Sequence, residues 1–388
     1  MQTLFDIQKD LMQSLAPTVK RGLADQINWD DRLIGIKGSR GVGKTTFLLN
    51  YAKSIANKKK CLYVDLNDFY FSTQSIISLA DEFVKTGGDT LLLDQVYKYP
   101  NWSQELRHCY DNYPDLHVVF TGSPVMRLKE ENPLLHGFAK VYSLEGFSFR
   151  EYLNNASGNN FRPFTLKEIV EDHQTIASEI TQRVKPLAYF ADYLRHGFYP
   201  YFLDSGADYV TLVKTINLVL EVEVSSLEQI DIRCLPKLRR LLYIIAAQAP
   251  FQPNVSKLSA VIETSRATVM KYLLYLKHAR LIHLLYPVGD TVGKPAHIFL
   301  QNPNLMYLCS YGGVNREALY KTFFFNQLGY RNKVERGAVG DFCVDEDRCF
   351  TVGTQSRAPR DSNTIEAHEM IERGQGNTIP LWLFGFLY

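Results

Sequence analysis

The stretch Gly38-Ser39-Arg40-Gly41-Val42-Gly43-Lys44-Thr45 decides the fold class, because it satisfies the pattern GxxxxGK[ST] in full. The apolar run 33–36 precedes it, and the helix-like run 46–52 follows it directly. A strand, a Gly-rich loop and a helix in this order let backbone N–H groups and the positive end of the helix dipole surround phosphate oxygens. The sequence therefore predicts a P-loop that binds a nucleoside triphosphate.

Each residue type in this loop has an expected role. We expect Lys44 to reach the β- and γ-phosphates and the Thr45 hydroxyl to bind Mg²⁺. Asp94 ends the apolar run 90–93 and is predicted to hold the same ion from a neighbouring strand. The predicted phosphate-binding residues are Gly38, Ser39, Arg40, Gly41, Val42, Gly43, Lys44, Thr45 and Thr46.

The choice of base follows from a missing element. A guanine-specific site would need an Asn-Lys-x-Asp element, and the segment Asn57-Lys58-Lys59-Lys60 lacks the aspartate. ATP is therefore favoured over GTP. Trp29, just upstream of the first strand, has two open interpretations, packing on the base or packing in the core.

Short apolar runs alternate with amphipathic stretches through the first part of the chain, which is typical of buried parallel strands in an α/β sheet. We predict four regions: a P-loop domain at 1–152, a helical connector or lid at 153–235, a winged helix-turn-helix at 236–305 and a small α/β domain at 306–388. The predicted strands are 33–36, 61–64, 91–93 and 118–120, and a leading helix is predicted at 7–27. The region 236–305 is predicted from helix-like stretches at 237–247, 255–262 and 266–279, followed by strands at 281–285 and 297–300.

Composition indicates an ordinary globular chain of 388 residues, with 22 % charged and 46 % hydrophobic residues. The formal net charge of +2 is too small to imply a polyanionic partner by itself. No segment approaches 18 consecutive apolar residues, and residues 1–17 lack the apolar stretch of a secretory signal. We therefore expect a cytoplasmic protein with free thiols and no membrane contact, and we interpret the apolar run 381–388 as a core strand.

Four motifs, taken together, resemble one family. They are the segment 34–46 around the P-loop, Leu93-Asp94-Gln95-Val96-Tyr97-Lys98-Tyr99-Pro100-Asn101-Trp102, Val119-Phe120-Thr121-Gly122-Ser123 and Phe147-Ser148-Phe149-Arg150-Glu151-Tyr152. In order and spacing the chain resembles the AAA-type P-loop ATPases of bacteria and archaea that carry a winged helix and a PD-(D/E)xK nuclease-like C-terminal domain. The segment 294–305 extends the resemblance.

The resemblance implies a P-loop sheet of the AAA type, with an additional strand, and a polar sensor, Thr121 or Ser123, on the strand beside the loop. Together with Lys44 and Gln95, these residues form the predicted catalytic set. Gln95 stands where the family has a second acidic residue, and a neutral amide cannot accept a proton from water. Slow hydrolysis with retained binding is the expected consequence.

Two further departures concern other parts of the chain. Gly137-Phe138 stands where the family has paired arginines, and Arg127 and Arg150 are the candidate replacements. Asp341 is placed like the nuclease aspartate, but Gly353-Thr354-Gln355 stands where Glu-x-Lys belongs. A single carboxylate is a poor site for a hard divalent cation, so nuclease activity is not expected.

The third helix-like stretch of the predicted winged helix has a mixed basic surface. Its polar residues suit contacts to phosphates and base edges in a major groove, but they also suit an ordinary solvated face. A DNA partner and a protein partner are therefore both left open. The residues are Arg266, Thr268, Lys271, Tyr272, Lys277 and Arg280.

Three functional hypotheses follow. The first is a Mg-ATP-binding AAA-type ATPase, slow in hydrolysis, that acts as a nucleotide-dependent switch. The second is a DNA-binding or protein-interaction module with a relic P-loop, and the third is an active DNA-processing nuclease-ATPase. ATP, ADP and Mg²⁺ are the expected ligands under the first.

Overall fold

The four strands predicted for the P-loop domain lie in one parallel sheet of the computed structural model. The structure describes residues 1–15, 20–56, 60–125, 134–203, 209–225, 228, 230–290, 293–309, 313–353 and 363–388. The described strands of this sheet are β1 (Leu33–Lys37), β2 (Cys61–Asp65), β3 (Thr90–Asp94), β4 (His117–Gly122) and β5 (Lys140–Ser143). Their order is β2-β3-β4-β1-β5, and every pairing is parallel. This confirms an α/β fold with an AAA-like sheet.

Parallel pairing brings the carboxyl ends of β1, β3 and β4 to one edge of the sheet. Residues on neighbouring strands are in register, with Leu33 beside Val118 and Asp65 beside Asp94. The first four residues of β1, β2 and β3 are buried, as expected for strands covered on both faces. The edge strand β5 is more exposed, and no prediction was made for it.

The helices of this region follow the strands in alternation. They are α1 (Gln2–Gln13), α2 (Lys44–Ile55), α3 (Ile76–Lys85) and α4 (Trp102–Asn112). The predicted leading helix at 7–27 is wrong in extent, because α1 ends at Gln13 and Gly22–Asp25 forms a separate 3-10 turn. The sequence between them contains Pro17, which lacks the N–H group that a continuing helix needs.

The chain divides into two compact units, Met1–Glu145 and Gly146–Tyr388. The four-region division made from the sequence stays a prediction. None of the described helices is long and apolar enough to cross a membrane.

The second unit begins with four α-helices. They are α5 (Phe149–Ser157), α6 (Leu166–Arg183), α7 (Pro186–Asp192) and α8 (Tyr209–Leu218), with π-helical turns at Tyr193–Gly197 and Val219–Val224. The break between α6 and α7 falls just before Pro186, which takes the first helical position of α7.

Three helices and a small antiparallel ladder occupy the next segment. They are α9 (Leu235–Gln248), α10 (Val255–Val261), α11 (Arg266–His278), β6 (Ile282–Leu285) and β7 (His297–Leu300). The Ser265 side chain caps α11 by accepting a hydrogen bond from the Thr268 N–H. Phe251 adds a bridge to Ile298 on the other side of the ladder. The predicted element order is therefore present.

A mixed sheet and one central helix form the rest of the second unit. The helix is α12 (Arg316–Leu328), and the described strands are β8 (Val334–Glu335), β9 (Phe342–Val344), β10 (Arg348–Val352), β11 (Ile365–His368) and β12 (Thr378–Pro380), in the order β12-β11-β10-β9-β8. The predicted core strand at 381–388 is wrong, because Leu381–Phe386 is a buried 3-10 helix. Periodicity cannot distinguish the two when every residue of a short run is buried.

A buried amide network connects the predicted connector to the later segments of this unit. Asn304, which is fully buried, accepts a hydrogen bond from the Phe198 N–H at 2.9 Å and donates to the carbonyls of Tyr193 and Leu194 at 3.2 and 2.9 Å. The Tyr193 hydroxyl donates to the Phe147 carbonyl at 2.7 Å. Buried polar groups are costly unless paired, so this network ties the π-helical turn in one arrangement.

Asn304→Ala is expected to destabilise the second unit by roughly 3 kcal/mol, because the substitution leaves a buried N–H and two carbonyls without their partner. Asn155→Ala, at an exposed position of α5, is the matched control and should change the free energy of unfolding little. Urea unfolding followed by circular dichroism measures both. Equal midpoints for the two variants would contradict the assignment.

Candidate nucleotide-binding site

The loop 38–43 turns sharply between β1 and α2. Gly41 and Gly43 have φ angles of 87° and 91°, which L side chains rarely adopt. A Cβ atom on Gly38 would lie 2.3 Å from the carbonyl oxygen of Leu144, so only glycine fits there. Gly43 precedes α2 and provides no side-chain cap for the first turn of the helix. This geometry suits a loop whose helix N-terminus binds an anion.

Lys44 lies at the first position of α2, next to the loop it is predicted to serve. Its ammonium group donates to the carbonyl oxygens of Gly38 and Ser39 at 2.6 and 3.0 Å. The lysine therefore lies over the concave face of the loop, where phosphate oxygens would bind. Thr45 and Thr46 follow it at exposed positions of the first helical turn.

Asp94 is the buried acid at the end of β3, with 1 % of its surface exposed. Among the described residues it accepts hydrogen bonds from three hydroxyl groups. The Thr45 hydroxyl donates to Oδ2 at 2.5 Å, the Tyr63 hydroxyl donates to Oδ2 at 2.9 Å, and the Thr121 hydroxyl donates to Oδ1. Such donors stabilise a buried carboxylate. The structure thus brings the two predicted metal-binding residues, Thr45 and Asp94, into contact.

Tyr63 is a residue of this site that the sequence did not reveal. Burial, followed by the negative charge of Asp94, raises the pKa of the Tyr63 phenol well above its usual value. The phenol therefore stays protonated and donates to the carboxylate at any physiological pH. Its location two residues before the end of β2 gave no indication of this, since the contact spans 31 positions in sequence.

Thr121 and Ser123 were alternative sensors, and the structure separates them. Thr121, on β4 beside β1, contacts Asp94, and its hydroxyl oxygen accepts the Gln95 N–H at 2.9 Å. Ser123 is buried, and its hydroxyl oxygen accepts the Val125 N–H at 3.4 Å. Thr121 is therefore the one that the hydrogen bonds above connect to the carboxylate.

Gln95 follows Asp94 in a left-handed backbone conformation, with φ of 58°. Its side-chain amide donates to Asp65 Oδ2 at 2.9 Å. Asp65 ends the neighbouring strand β2 and is the register partner of Asp94. A second acid therefore lies at the site, one strand away from the position where the family motif has it.

Arg21 forms hydrogen bonds that hold the P-loop, and the sequence did not indicate them. It is buried, and its guanidinium donates to the carbonyls of Val42 and Glu145 at 2.9 and 2.6 Å. These contacts span 21 and 124 positions, so no local motif could indicate them. Trp29 stacks on Tyr51 of α2 with ring centroids 3.7 Å apart, which supports the packing interpretation of this tryptophan.

The donor set at this edge fits Mg²⁺. Magnesium prefers oxygen ligands and keeps several waters, so it needs one or two protein oxygens besides the phosphates. Thr45 Oγ1 and Asp94 provide such oxygens side by side. No cluster of three or more His, Cys, Asp or Glu able to hold a metal occurs in the described part of the chain.

The remaining predicted positions lie elsewhere. Arg150 is buried in α5, where it donates to the main-chain oxygens of Tyr388 and Phe161 at 2.9 and 3.1 Å. Arg127 and positions 354 and 355 lie outside the described residues. Asp341 is buried, forms an ion pair with Lys321 at 2.8 Å and accepts the Val352 N–H at 2.9 Å. Its charge is therefore already compensated without a metal.

Two segments of the chain match known protein families. Residues 30–153 match the AAA domain family, and residues 187–298 match a domain of unknown function, DUF8612. The first match contains the P-loop, Asp94, Gln95 and Thr121. The chain therefore has an AAA-type P-loop ATPase domain, and the segment from α7 to β7 belongs to a domain family of unknown function.

Individual relatives are distant. An uncharacterized protein of Methanocaldococcus jannaschii is 23 % identical over 274 residues, which is 66 % of this chain and 57 % of the relative. The chain thus spans little more than half the length of that protein. Among solved structures, AMPPCP-bound DnaA from Aquifex aeolicus has 14 % identity and a TM-score of 0.28, covering 71 % of this chain and 87 % of that one. PCH-2 of C. elegans has 14 % identity and a TM-score of 0.27, covering 72 % of this chain and 66 % of that one.

Gly38→Ala is expected to weaken Mg-ATP binding by about tenfold or more, because the added Cβ displaces the loop from the Leu144 carbonyl. Gly87→Ala is the matched control: its φ of 76° makes alanine strained, but nothing lies within 4 Å of the new Cβ. The control should lower stability and leave affinity unchanged. Isothermal titration calorimetry measures both, and equal affinities would show that the loop tolerates the methyl group.

Proposed function

We propose that this protein binds Mg-ATP at residues 38–45 and uses nucleotide occupancy as a conformational switch. The observation that carries the proposal is the 2.5 Å hydrogen bond between Thr45 Oγ1 and Asp94 Oδ2 beside the P-loop. A loop for phosphates, a hydroxyl and a carboxylate for the metal, and an ammonium group then share one edge of the sheet. The match of residues 30–153 to the AAA domain family supports ATP as the nucleotide.

Each side chain has a distinct part in binding. The N–H groups of the loop and of the N-terminus of α2 donate hydrogen bonds to the phosphate oxygens, and the Lys44 ammonium neutralises charge on the β- and γ-phosphates. Thr45 and Asp94 would hold Mg²⁺, which would supply positive charge beside the phosphates. Thr121, on β4, donates a hydrogen bond to the same carboxylate, and this contact suits a sensor residue.

Hydrolysis is proposed to be slow. Gln95 cannot accept a proton from water, and its amide is engaged with Asp65 at 2.9 Å. A protein that turns over slowly spends most of its time in one nucleotide state, which suits a switch better than a motor. We further propose that the segment 236–305 is a winged helix, that 153–235 is a helical connector or lid and that 306–388 is a nuclease-like domain without nuclease activity.

The ionic contacts of Asp341 support the last part of this proposal. An aspartate that is paired with Lys321 and hydrogen-bonded by the Val352 N–H has little capacity left for a metal. The third hypothesis, an active nuclease, is therefore not proposed. We also propose a reducing, cytoplasmic setting, because five cysteines of the described residues have free thiols.

Lys44→Ala should lower the affinity for Mg-ATP by about tenfold or more, because it removes the ammonium group at the phosphates. Lys53→Ala, at an exposed position of the same helix, is the matched control and should bind as the unchanged protein does. Calorimetry of ATP and ADP, with and without Mg²⁺, gives the affinities. Absence of saturable, Mg-dependent binding in the unchanged protein would support the relic P-loop of the alternative hypothesis.

DNA binding through α11 is the second candidate function, and one observation favours it. Arg266 and Lys271 are both exposed on this helix, whose buried side packs Val269, Leu273 and Leu276 into the unit. Lys271 also lies 5.5 Å from the centre of the Tyr275 ring. A helix that follows a turn and presents basic side chains to solvent suits the major groove.

The double variant Arg266→Glu with Lys271→Glu should abolish binding to a labelled DNA duplex, because it replaces two phosphate contacts by repulsion. Lys167→Glu with Lys185→Glu has the same change in charge at exposed positions of the predicted connector and should bind normally. Fluorescence anisotropy at two salt concentrations measures the affinities. A similar loss in both double variants would indicate that only net charge matters.

A further inference from the structure

The position of Asp65 carries an inference about how the proposed ATPase activates water. The register of the parallel sheet places Asp65 beside Asp94, at the carboxyl ends of β2 and β3. In a parallel sheet these ends face the same edge as the P-loop, so Asp65 reaches the site from a neighbouring strand.

Two hydrogen bonds hold the Asp65 carboxylate in one orientation. The Gln95 amide donates to Oδ2 at 2.9 Å, and the Asn67 N–H donates to Oδ1 at 2.9 Å. The left-handed backbone of Gln95 is strained for a residue with a Cβ atom, and strain of this kind tends to persist where function requires it. The Gln95 amide thus orients the Asp65 carboxylate, an acidic group that Gln95 itself does not have.

We propose that Asp65 is the base that accepts a proton from the attacking water, and that Gln95 positions it. The inference rests on the proposed function. A water oxygen forms a bond to the γ-phosphorus, and one water proton passes to the Asp65 carboxylate. The bond between the γ-phosphorus and the β–γ bridging oxygen breaks, and its electron pair stays on ADP. Phosphate then leaves, and the proton passes to it or to solvent.

The charges around Asp65 agree with this role. Burial is the largest cause that raises the pKa of Asp65, and the nearby Asp94 carboxylate raises it as well. The Asn67 N–H, the Lys98 ammonium and the Gln95 amide act in the opposite direction. A base whose pKa lies above that of a free aspartate holds a proton better, which favours its abstraction from water.

Gln95→Leu tests the positioning role of Gln95. The substitution removes the amide that donates to Asp65 Oδ2, so kcat for ATP hydrolysis should fall while the affinity for Mg-ATP stays within about twofold.

Asp65→Asn tests the base directly. Steady-state ATP hydrolysis should fall by about 100-fold or more, because general-base catalysis contributes about that much, while Mg-ATP affinity stays within about twofold. Asp68→Asn, in the turn after β2, is the matched control and should hydrolyse ATP at the unchanged rate. Asp65→Glu should retain more turnover than Asp65→Asn.

The outcomes separate the two proposals. If the unchanged protein does not bind Mg-ATP in calorimetry, the proposed function fails. If it binds Mg-ATP but Asp65→Asn hydrolyses ATP at the unchanged rate, or if the unchanged protein has no turnover at any pH, only the role of Asp65 is overturned. An unchanged kcat in Gln95→Leu overturns the positioning role of Gln95.

Discussion

The site depends on one buried charge. Asp94 has almost no contact with solvent, and an isolated carboxylate in such a place would be strongly destabilising. Hydroxyl groups from α2, β2 and β4 compensate for it, so the carboxylate links the first turn after the P-loop to two strands of the sheet. A change in what Asp94 binds therefore affects the hydrogen bonds of α2, β2 and β4 together. A metal held by Thr45 and Asp94, as proposed, would be such a change, because the Asp94 oxygens that now accept these hydrogen bonds would then also bind the metal.

The sequence predicted the parts of this arrangement that local patterns determine. Strands β1 to β4 are continuous apolar runs bounded by polar turns, and the P-loop has a spacing that its mechanism requires. Strand β5 was missed because an exposed edge strand such as Lys140–Ser143 lacks a buried run. The segment Leu381–Phe386 was assigned to a strand because its uniform burial hides the helical period. Tyr63 and Arg21 were missed because their contacts join residues far apart in sequence.

The second unit depends on a different kind of interaction. Several amide side chains are buried where apolar residues would ordinarily lie, and Asn304 bonds the main-chain carbonyls of Tyr193 and Leu194 in the π-helical turn. The Asn326 amide adds a bond from α12 to the Gln301 carbonyl at 2.9 Å. Apolar packing tolerates small shifts, whereas directional hydrogen bonds between buried amides allow few alternatives. The bonded amides therefore hold these segments of the unit in one arrangement.

The proposed catalytic base, Asp65, shows why a motif and a structure can disagree about mechanism. A sequence motif compares only the position directly after Asp94 in the chain, and that position holds the neutral Gln95. A parallel sheet makes the last residues of adjacent strands spatial equivalents, since they end at the same edge a few ångströms apart. Asp65 is the register partner of Asp94 and is joined to Gln95 by a hydrogen bond. The loss of an acid from one strand therefore does not mean its loss from the site, and Gln95 has a physical reason to be an amide. A glutamate there would place two carboxylates in contact, whereas the amide donates to the one that is present.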